Sequence, residues 1–528
     1  MTWTSAISLD KLRRDGKAVT KLGGKQIALF AADGAVYACN NRCPHEGYPL
    51  REGTLDESCV LTCNWHGWKF DLRNGDNLLR GDRLRTYPTK VVDGAVWVDV
   101  SDPPPAERRA QALANLRTAF DDHEYDRIAR ELARLSKANA DPVEAVVAAI
   151  EWSHDRLRFG MTHAYAAAAG WLALYDQTAD AEARLTCLVE AIGHMSWDCL
   201  REPSYPFTHA TEAFVESSFL AALEAQDEGQ AVALLRGALA NGLRFADLER
   251  PLSTAALRHY ADFGHSLIYV VHVGRLIERL GLLVEEPLLL ALVRSLVNAS
   301  REDLIPEFRG YAKVLKDWPK ANGQSVGNGL RTEDILDRSV DATMAIVAQH
   351  ARHAAPELLY DVLLGACAMN LLRYDMRFQQ RTDNTVAENV GWLDFTHGIT
   401  FANAARQQCR KFPELWPQAL LQLACFVGRN SAFVDKGIGL EDWRVDDRKV
   451  FEGFCLGRIA DHGEPDYIHS AHLVKTFLAA REEVDSDLTG EVAAPVLAAV
   501  NRYFSEPGKR KHARRTAHQA LEFVALED

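Results

Sequence analysis

Short alternating runs of hydrophobic and polar residues fill the first hundred positions of the chain. The runs include QIALFAA, AVYAC, CVLTC, WKFDL and AVWVDV. They are separated by turn dipeptides such as Asp33-Gly34, Asn74-Gly75 and Asp93-Gly94. Short strands joined by such turns are typical of antiparallel sheets. We therefore expect a small all-β domain over residues 1–101. It ends at a linker, residues 102–106, whose consecutive prolines exclude a helix interior and a central strand.

The rest of the chain has the spacing of amphipathic helices. Runs rich in Ala, Leu, Glu and Arg with helical periodicity occur at 143–156, 162–175, 182–200, 229–240, 284–299 and 340–352. Residues 254–280 also favour a helix, Arg250-Pro251 is expected at a helix boundary, and Ala355-Pro356 is expected to begin a helix. The predicted fold is multidomain, with the small all-β domain followed by a large all-α domain over residues 107–528.

Composition and charge narrow the class of protein. The chain has 528 residues, enough for two or more domains, and its 47% hydrophobic and 25% charged residues are typical of a globular protein. The net charge of −13 argues against nucleic acid as a partner. The sequence has no apolar run of signal-peptide or membrane-spanning length, so we expect a cytoplasmic protein without a membrane partner. The basic segment 509–515 is expected to be a solvated helix face.

Two short motifs in the β-rich region carry the clearest chemistry. The sequence C-P-H at 43–45 is followed, after 17 residues, by C-N-W-H at 63–66. Each motif supplies one thiolate and one imidazole, which suits a [2Fe-2S] cluster with two cysteines on one iron and two histidines on the other. The predicted ligands, each near the tip of a predicted hairpin, are Cys43, His45, Cys63 and His66.

The residues around these motifs agree with a cluster site. Gly47 and Gly67 permit close approach of the backbone to the cluster sulfurs, and Trp65 and Trp68 are expected to limit water around it. The stretch from residue 40 to 71 resembles the Rieske ferredoxin domain of aromatic-ring-hydroxylating oxygenases and their ferredoxins. The resemblance implies one [2Fe-2S] cluster per subunit and an electron-transfer role for about the first hundred residues.

Two alternatives to this interpretation are weaker. Rieske proteins of respiratory complexes also carry a disulfide between the two ligand loops, but the corresponding positions here are Tyr48 and Asn64 or Trp65. We therefore expect the oxygenase type of domain, with Cys39 and Cys59 as buried thiols. A zinc site made by the same four ligands is disfavoured because the C-x-H and C-x-x-H spacing does not match that of zinc fingers.

A Rieske cluster moves electrons and needs an acceptor, which the helical domain could hold. In ring-hydroxylating oxygenases the acceptor is a mononuclear iron in a mixed α/β domain, bound through the pattern D-x-x-H-x₄₋₅-H. The nearest match here, Asp262-x-x-His265-x₆-His272, has a longer spacing and lies in a segment that favours a helix. Dioxygenation of an aromatic ring therefore cannot be inferred from this resemblance.

Helical bundles can instead bind two irons through pairs of E-x-x-H motifs. Glu151/His154 matches this motif, but no second E-x-x-H occurs. Three further pairs match if aspartate is allowed, namely Asp262/His265, Asp394/His397 and Asp466/His469. These aspartates are candidate carboxylate ligands or acceptors for imidazole N–H groups, but helix caps or surface charges are the better explanation of them.

The sequences around four histidines resemble those of the questin oxidase-like family. The matching motifs are FGMTHA, DFGHSLI, FTHGIT and HSAHLVK, within residues 150–480. The family is all-α and is associated with oxidative ring opening of polyketide anthraquinones, and a fused Rieske domain is not its usual pattern. Carried over by position, the resemblance implies that His163, His265, His397 and His472 line one catalytic pocket, with His272 and His469 as neighbours. Candidate ligands for an additional non-haem iron are His265, His272, His397 and His469.

These observations predict an O₂-dependent oxidoreductase acting on an organic substrate of an aromatic or polyketide kind. The Rieske cluster would relay electrons to the histidine-rich helical domain. The sequence contains neither G-x-G-x-x-G after a strand nor a phosphate-binding loop, so the electrons should come from an external NAD(P)H-dependent reductase or ferredoxin. The alternative is a redox-controlled scaffold or an electron-transfer protein without substrate chemistry of its own. An oligomer is compatible with either.

Overall fold

The computed structural model describes residues 2–79, 81–319, 329–486, 490–508 and 513–525. The chain forms two compact units, Met1–Pro142 and Val143–Asp528, here called the first and second units. The predicted architecture of a small all-β domain followed by a large helical region is confirmed.

The first unit contains three antiparallel sheets. Their strand orders are β1-β10-β9, β2-β3-β4-β8 and β5-β6-β7. The strands are β1 Trp3–Ser8, β2 Lys17–Leu22, β3 Lys25–Ala32, β4 Ala35–Asn40, β5 Thr54–Leu55, β6 Val60–Thr62, β7 Lys69–Asp71, β8 Thr86–Tyr87, β9 Thr89–Val92 and β10 Ala95–Asp99. A short helix, α1 Leu9–Asp15, joins β1 to β2. The sheets bury two apolar clusters, of which one contains Cys43 and Cys63 beside Phe70 and Leu84.

Two helices also belong to the first unit, α2 Pro105–Asp121 and α3 Tyr125–Lys137. The predicted boundary separates strands from helices at 101–107, whereas the compact unit extends to Pro142. The reason is a buried ionic contact, because the Asp82 carboxylate, 1% exposed, accepts hydrogen bonds from three arginines of α3. These are Arg127 at 2.6 Å, Arg130 at 3.4 Å and Arg134 at 3.1 Å.

The second unit is built from helices joined by turns and irregular segments. Its helices are α4 Glu144–Ser153, α5 His163–Gln177, α6 Ala181–Asp198, α7 Glu216–Glu224, α8 Glu228–Ala240, α9 Phe245–Arg258, α10 His265–Leu280, α11 Glu285–Asn298, α12 Tyr311–Lys316, α13 Thr332–Ile335, α14 Val340–His350, α15 Pro356–Leu372, α16 Arg377–Gln380, α17 Trp392–Lys411, α18 Trp416–Asn430, α19 Arg448–Ala460, α20 Tyr467–Asp485, α21 Ala493–Ser505 and α22 Ala513–Val524. Short 3₁₀ turns connect several of them. In the described ranges, no helix combines the length and apolarity that crossing a bilayer requires.

The helical periodicity located most of these elements correctly. The six predicted runs correspond to α4, α5, α6, α8, α11 and α14, and Pro356 begins α15 as expected. Two expectations were wrong. Pro251 lies inside α9, which continues past it because Leu248 and Leu252 are fully buried. The segment 254–280 is not one helix, since α9 ends at Arg258 and α10 begins at His265. Residues 509–512 of the basic segment lie outside the described residues, and 513–515 begin α22.

Four helices of the second unit form a closed ring of neighbours. In this ring α5 packs on α10, α10 on α17, α17 on α20, and α20 on α5. Small residues permit the close approach of α5 and α20, because a Cβ atom at Gly170 would lie 2.6 Å from Val474. The ring places the amino-terminal turns of α5 and α10 beside the second turns of α17 and α20.

Candidate iron–sulfur and histidine centres

Two loops of the first unit, residues 43–48 and 63–68, have the same backbone design. In each, the cysteine N–H donates to the carbonyl of the last residue, Tyr48 or Trp68, and the glycine N–H donates back to the cysteine carbonyl. The glycines are Gly47 and Gly67, with φ of 80° and 74°, a region that favours glycine. The two loops therefore present their cysteines in equivalent positions, whereas His45 lies two residues and His66 three residues after its cysteine.

The two cysteines lie together in the apolar core of the first unit. Cys43 is 4% exposed and Cys63 is 1% exposed, and their thiols interact directly. Burial raises the pKa of Cys43 to about 11, while the backbone N–H groups of His45 and Glu46 act in the opposite direction. These N–H groups are the donors that a metal-bound thiolate sulfur requires. The arrangement fits a cluster held from the interior by two sulfurs.

The two histidines lie on the outer side of the same site. The rings of His45 and His66 are 4.7 Å apart, and the His45 ring stacks on Trp68 at 4.5 Å. Their Nε2 atoms lie 4.0 and 3.7 Å from the Glu46 carboxylate. Trp65 does not limit access of water as expected, since it is 62% exposed.

Four histidines of the second unit converge on one point. His163 and His265 are the first residues of α5 and α10, while His397 and His472 lie in the second turns of α17 and α20. One ligand nitrogen from each lies within 4.8 Å of the others. The Nε2 atoms of His163 and His265 are 3.0 Å apart, and those of His397 and His472 are 3.1 Å apart. We call these residues the four-histidine group.

Backbone carbonyls fix the orientation of two of these rings. Nδ1 of His265 donates to the Asp262 carbonyl at 2.5 Å, and Nδ1 of His472 donates to the Ile468 carbonyl at 2.7 Å. A neutral imidazole protonated at Nδ1 has its lone pair on Nε2, which points to the common centre. Ligand histidines in metalloproteins are held in this way. The donor set, four neutral imidazoles, suits a divalent transition metal such as iron.

An unusual backbone segment precedes His265. Asp262, Phe263 and Gly264 have φ values of 50°, 46° and 79°, so three successive residues are left-handed. Non-glycine residues in this region cost about 1–3 kcal/mol each, and such strain concentrates at functional sites. The segment is held by the hydrogen bond from the Asp262 N–H to the Ser300 carbonyl. It turns the Asp262 carbonyl toward His265 and so sets the position of that ring.

Burial keeps the four-histidine group neutral. It lowers the pKa of each of the four imidazoles, to about 3 for His265 and well below the usual value for the others. The positive charge of Lys475 adds to this effect on all four. Lys475 itself is 2% exposed, its Nζ has no hydrogen-bond partner among the described residues, and burial lowers its pKa to about 7.

The other sequence candidates lie outside this group. His272 is on α10 and His469 on α20; both are buried, but the structure does not bring them to the common centre. Nδ1 of His272 has no hydrogen-bond partner in the described part of the chain. The expected ligand set of His265, His272, His397 and His469 therefore differs from the group that the structure assembles. The two sets share His265 and His397, but the structure adds His163 and His472 in place of His272 and His469.

The candidate carboxylates also lie outside the group. Asp394 caps α17 by accepting from the Gly391 N–H, and Asp466 is the residue before α20. Asp262 contributes its backbone carbonyl to His265, as described above. His154 of the E-x-x-H motif is hydrogen-bonded to the Glu151 carbonyl and stacks on Phe207. Within the described residues, the converging side chains are histidines only.

Sequence reasoning missed two residues of these sites, Glu46 and Lys475. Glu46 directly follows a predicted ligand, but its exposed carboxylate had no distinguishing pattern. Lys475 is three residues after His472 and thus on the same face of α20, a spacing that would have identified it.

Comparison with known proteins supports the geometry of the first unit. A model of the Rieske [2Fe-2S] domain matches residues 2–88. The 4beta-methylsterol monooxygenase of Methylococcus capsulatus is 40% identical over 92 residues, which are 15% of this chain and 25% of the relative. The 3-phenylpropionate/cinnamic acid dioxygenase ferredoxin subunit of Photorhabdus laumondii subsp. laumondii is 38% identical over 78 residues, 14% of this chain and 74% of the relative.

A second oxygenase and a solved ferredoxin are similar over the same region. The 3-chlorobenzoate-3,4-dioxygenase oxygenase subunit of Comamonas testosteroni is 34% identical over 108 residues, 18% of this chain and 25% of the relative. The ferredoxin of carbazole 1,9a-dioxygenase from Nocardioides aromaticivorans IC177 is 24% identical, with 19% of this chain and 100% of that chain covered and a TM-score of 0.18. The chain thus spans about a quarter of the two oxygenases it matches.

The paired loops and their similarity to these proteins define the first unit as an iron–sulfur electron-transfer domain. The chain belongs, through residues 2–88, to the Rieske [2Fe-2S] family, and its cofactor there is a [2Fe-2S] cluster.

Proposed function

We propose that the chain is a Rieske-dependent, O₂-consuming oxidoreductase whose second unit holds a metal centre in the four-histidine group. The observation that carries this proposal is the convergence of one ring nitrogen from each of four histidines within 4.8 Å. The Rieske domain of the first unit, and the oxygenases named among its relatives, support an electron-transfer partner for such a centre.

In the first unit we assign Cys43 and Cys63 to one iron and His45 and His66 to the other. The Cys43 sulfur receives N–H donors inside the core, and the histidines lie nearer the surface, where electrons enter or leave. Trp68 covers one face of His45. The electrons come from an external NAD(P)H-dependent reductase or a ferredoxin in this proposal, and the location of the protein is cytoplasmic.

In the second unit His163, His265, His397 and His472 would hold a non-haem iron. A bound iron supplies one-electron chemistry with O₂. The chain's own residues provide three conditions for it. Burial keeps all four imidazoles neutral. The carbonyls of Asp262 and Ile468 fix two rings with Nε2 unprotonated. The helices that surround the group bury most of it. Lys475 is a buried cationic side chain whose charge acts on all four histidines.

The substrate in this proposal is an organic molecule, aromatic or polyketide in nature. The histidine motifs that resemble the questin oxidase-like family are the four that meet in the structure, which supports an oxidative reaction of that class. The printed activities of the Rieske relatives belong to those proteins and carry over to this chain only as support for oxygen chemistry.

Metal analysis of matched variants tests the proposal. In a Cys43→Ser/Cys63→Ser background, which removes the cluster, the protein reconstituted with Fe²⁺ should retain about one iron per chain. His265→Ala or His472→Ala should abolish this iron. His272→Ala and His469→Ala, on the same two helices, are the controls and should retain it.

Two results would contradict the proposal in different ways. Loss of iron in the control variants would favour the ligand set that includes His272 and His469. A cluster-free protein without any bound iron would instead favour a redox-controlled scaffold or an electron-transfer protein. An electron-transfer protein without substrate chemistry would also consume no O₂ when a reductase and NADH are supplied.

A further inference from the structure

A large cleft lies within the first unit, between the sheets and the helices α2 and α3. Its volume is about 890 Å³, within the range of roughly 300–1,000 Å³ that small-molecule sites occupy. Its walls come from the cluster loop at 40–44, the segments 83–88 and 99–104, and both helices. Prolines, Leu84 and Tyr87 make part of the lining apolar. The cleft is therefore large enough for an organic molecule and offers it an apolar wall.

The charges that line the cleft are unevenly paired. Arg85 binds Asp102 and Arg134 binds Asp82, so these cations are neutralised. Arg42, Arg108 and Lys137 line the same cleft without a carboxylate partner among the described residues, against two carboxylates without a side-chain cation there, the exposed Glu107 and the buried Asp99. The surplus of positive charge favours an anion.

Two buried polar atoms in the lining residues have no partner. Glu131 is fully buried, and while its Oε1 is held by Arg134 and Asn115, its Oε2 accepts no hydrogen bond in the described structure. The buried Nε of Arg108 is likewise without an acceptor there. More than nine in ten buried polar groups in proteins are hydrogen-bonded. These two atoms indicate a bound molecule that supplies both an acceptor and a donor.

The cleft also touches the iron–sulfur site, because Cys43 and Pro44 form part of its wall. We propose that the cleft is a binding site for an organic anion, such as an aromatic carboxylate, and that its occupancy is linked to the oxidation state of the cluster. One-electron reduction adds a negative charge beside Cys43, which repels an anion in the cleft. The anion therefore binds the oxidised protein more tightly than the reduced protein.

The linkage has a quantitative consequence. Coupling between two equilibria is reciprocal, so an anion that prefers the oxidised form must lower the reduction potential of the cluster. A tenfold preference corresponds to a fall of about 59 mV for a one-electron couple. The site would adjust electron delivery according to the concentration of its ligand.

A pair of isosteric probes tests the proposal on the full-length protein with its cluster. Oxidised protein should bind 1-naphthoate at least tenfold more tightly than 1-naphthalenemethanol, which lacks the charge. The double variant Arg108→Gln/Lys137→Gln should weaken naphthoate binding at least tenfold. Arg117→Gln, on the same helix but paired with Asp121, is the matched control and should bind as the parent does.

A second variant separates binding from folding defects. Gln111→Trp places a large side chain on the cleft lining at an exposed position, and it should block naphthoate while the visible absorption of the cluster is unchanged. Absence of naphthoate binding, or binding that survives both variants, would overturn the site. Equal affinity of the oxidised and dithionite-reduced protein, with an unmoved potential, would overturn the redox linkage.

Discussion

At the scale of single residues, buried ionisable groups set the pH dependence of the molecule. Burial raises the pKa of Glu131 to about 7, above its ordinary 4.5, although Arg134 acts against this. The folded state therefore holds the Glu131 proton more tightly than the unfolded state. This contribution to stability is complete below pH 4.5 and is lost as the pH rises through 7.

Replacing Glu131 by glutamine should remove this pH dependence. Relative to the parent, Glu131→Gln should gain about 1–3 kcal/mol in the free energy of unfolding between pH 4.5 and pH 8, since one pKa unit is worth 1.36 kcal/mol. Denaturant unfolding at several pH values measures this difference in the free energy of unfolding. Glu107→Gln, at an exposed position of α2, is the control, and a parallel pH profile for both variants would contradict the assignment.

The glycines at the two ends of α10 differ in how closely other residues pack against them. Gly264 and Gly281 both have positive φ, 79° and 84°, but only at Gly264 would a Cβ collide, 2.6 Å from Phe401. Gly264→Ala should displace His265 and weaken Fe²⁺ binding about 10–100-fold, as loss of ligand support does elsewhere. Gly281→Ala carries the same backbone strain without the collision and should bind Fe²⁺ like the parent. Equal affinities in a competition titration would refute this role of Gly264.

At the scale of elements, α3 is attached to the sheets by the buried Asp82 carboxylate. Arg127→Gln should cost about 3 kcal/mol of unfolding free energy, the low end for breaking a buried pair, because Arg130 and Arg134 remain. The pair Arg83–Asp76 is about half exposed on both sides, so Arg83→Gln should cost less than about 1 kcal/mol. Amide hydrogen exchange in α3 should increase in the first variant only. Similar costs for the two variants would show that the buried contact is unimportant.

Features set by local spacing could be predicted from the sequence, whereas contacts between distant elements could not. The cluster loops were predictable because ligand spacing within a loop is local. The four histidines were also recognisable as motifs, but residues three and seven positions apart share a helix face. His469 and His472, or His265 and His272, were therefore indistinguishable as ligands. The contact of Asp82 with α3 joins residues 45 to 52 positions apart, and the break before His265 depends on Ser300 and Arg301; neither has a local signature.

At the scale of the whole molecule, the extent of the first unit can be tested with fragments. A fragment of residues 1–142 retains the three arginines around Asp82, whereas 1–101 leaves that carboxylate without them. Both should take up a [2Fe-2S] cluster, but the shorter fragment should unfold at lower denaturant concentration. Asp82→Asn should raise the denaturant concentration at which fragment 1–101 unfolds, but it should not raise that of fragment 1–142. Equal stability of the two fragments would place the boundary at residue 101.

The order of the ligands along the chain has a consequence for how the protein matures. The cluster loops are complete once residue 68 has been synthesised, but the four-histidine group draws on α5, α10, α17 and α20 and lacks a member until His472 emerges. Within its two closest pairs the partners are 102 and 75 residues apart. An ion shared by all four, as proposed above, would cross-link these long loops. Iron–sulfur assembly can thus begin on the ribosome, whereas the proposed iron site of the helices could form only after residue 472 has been synthesised.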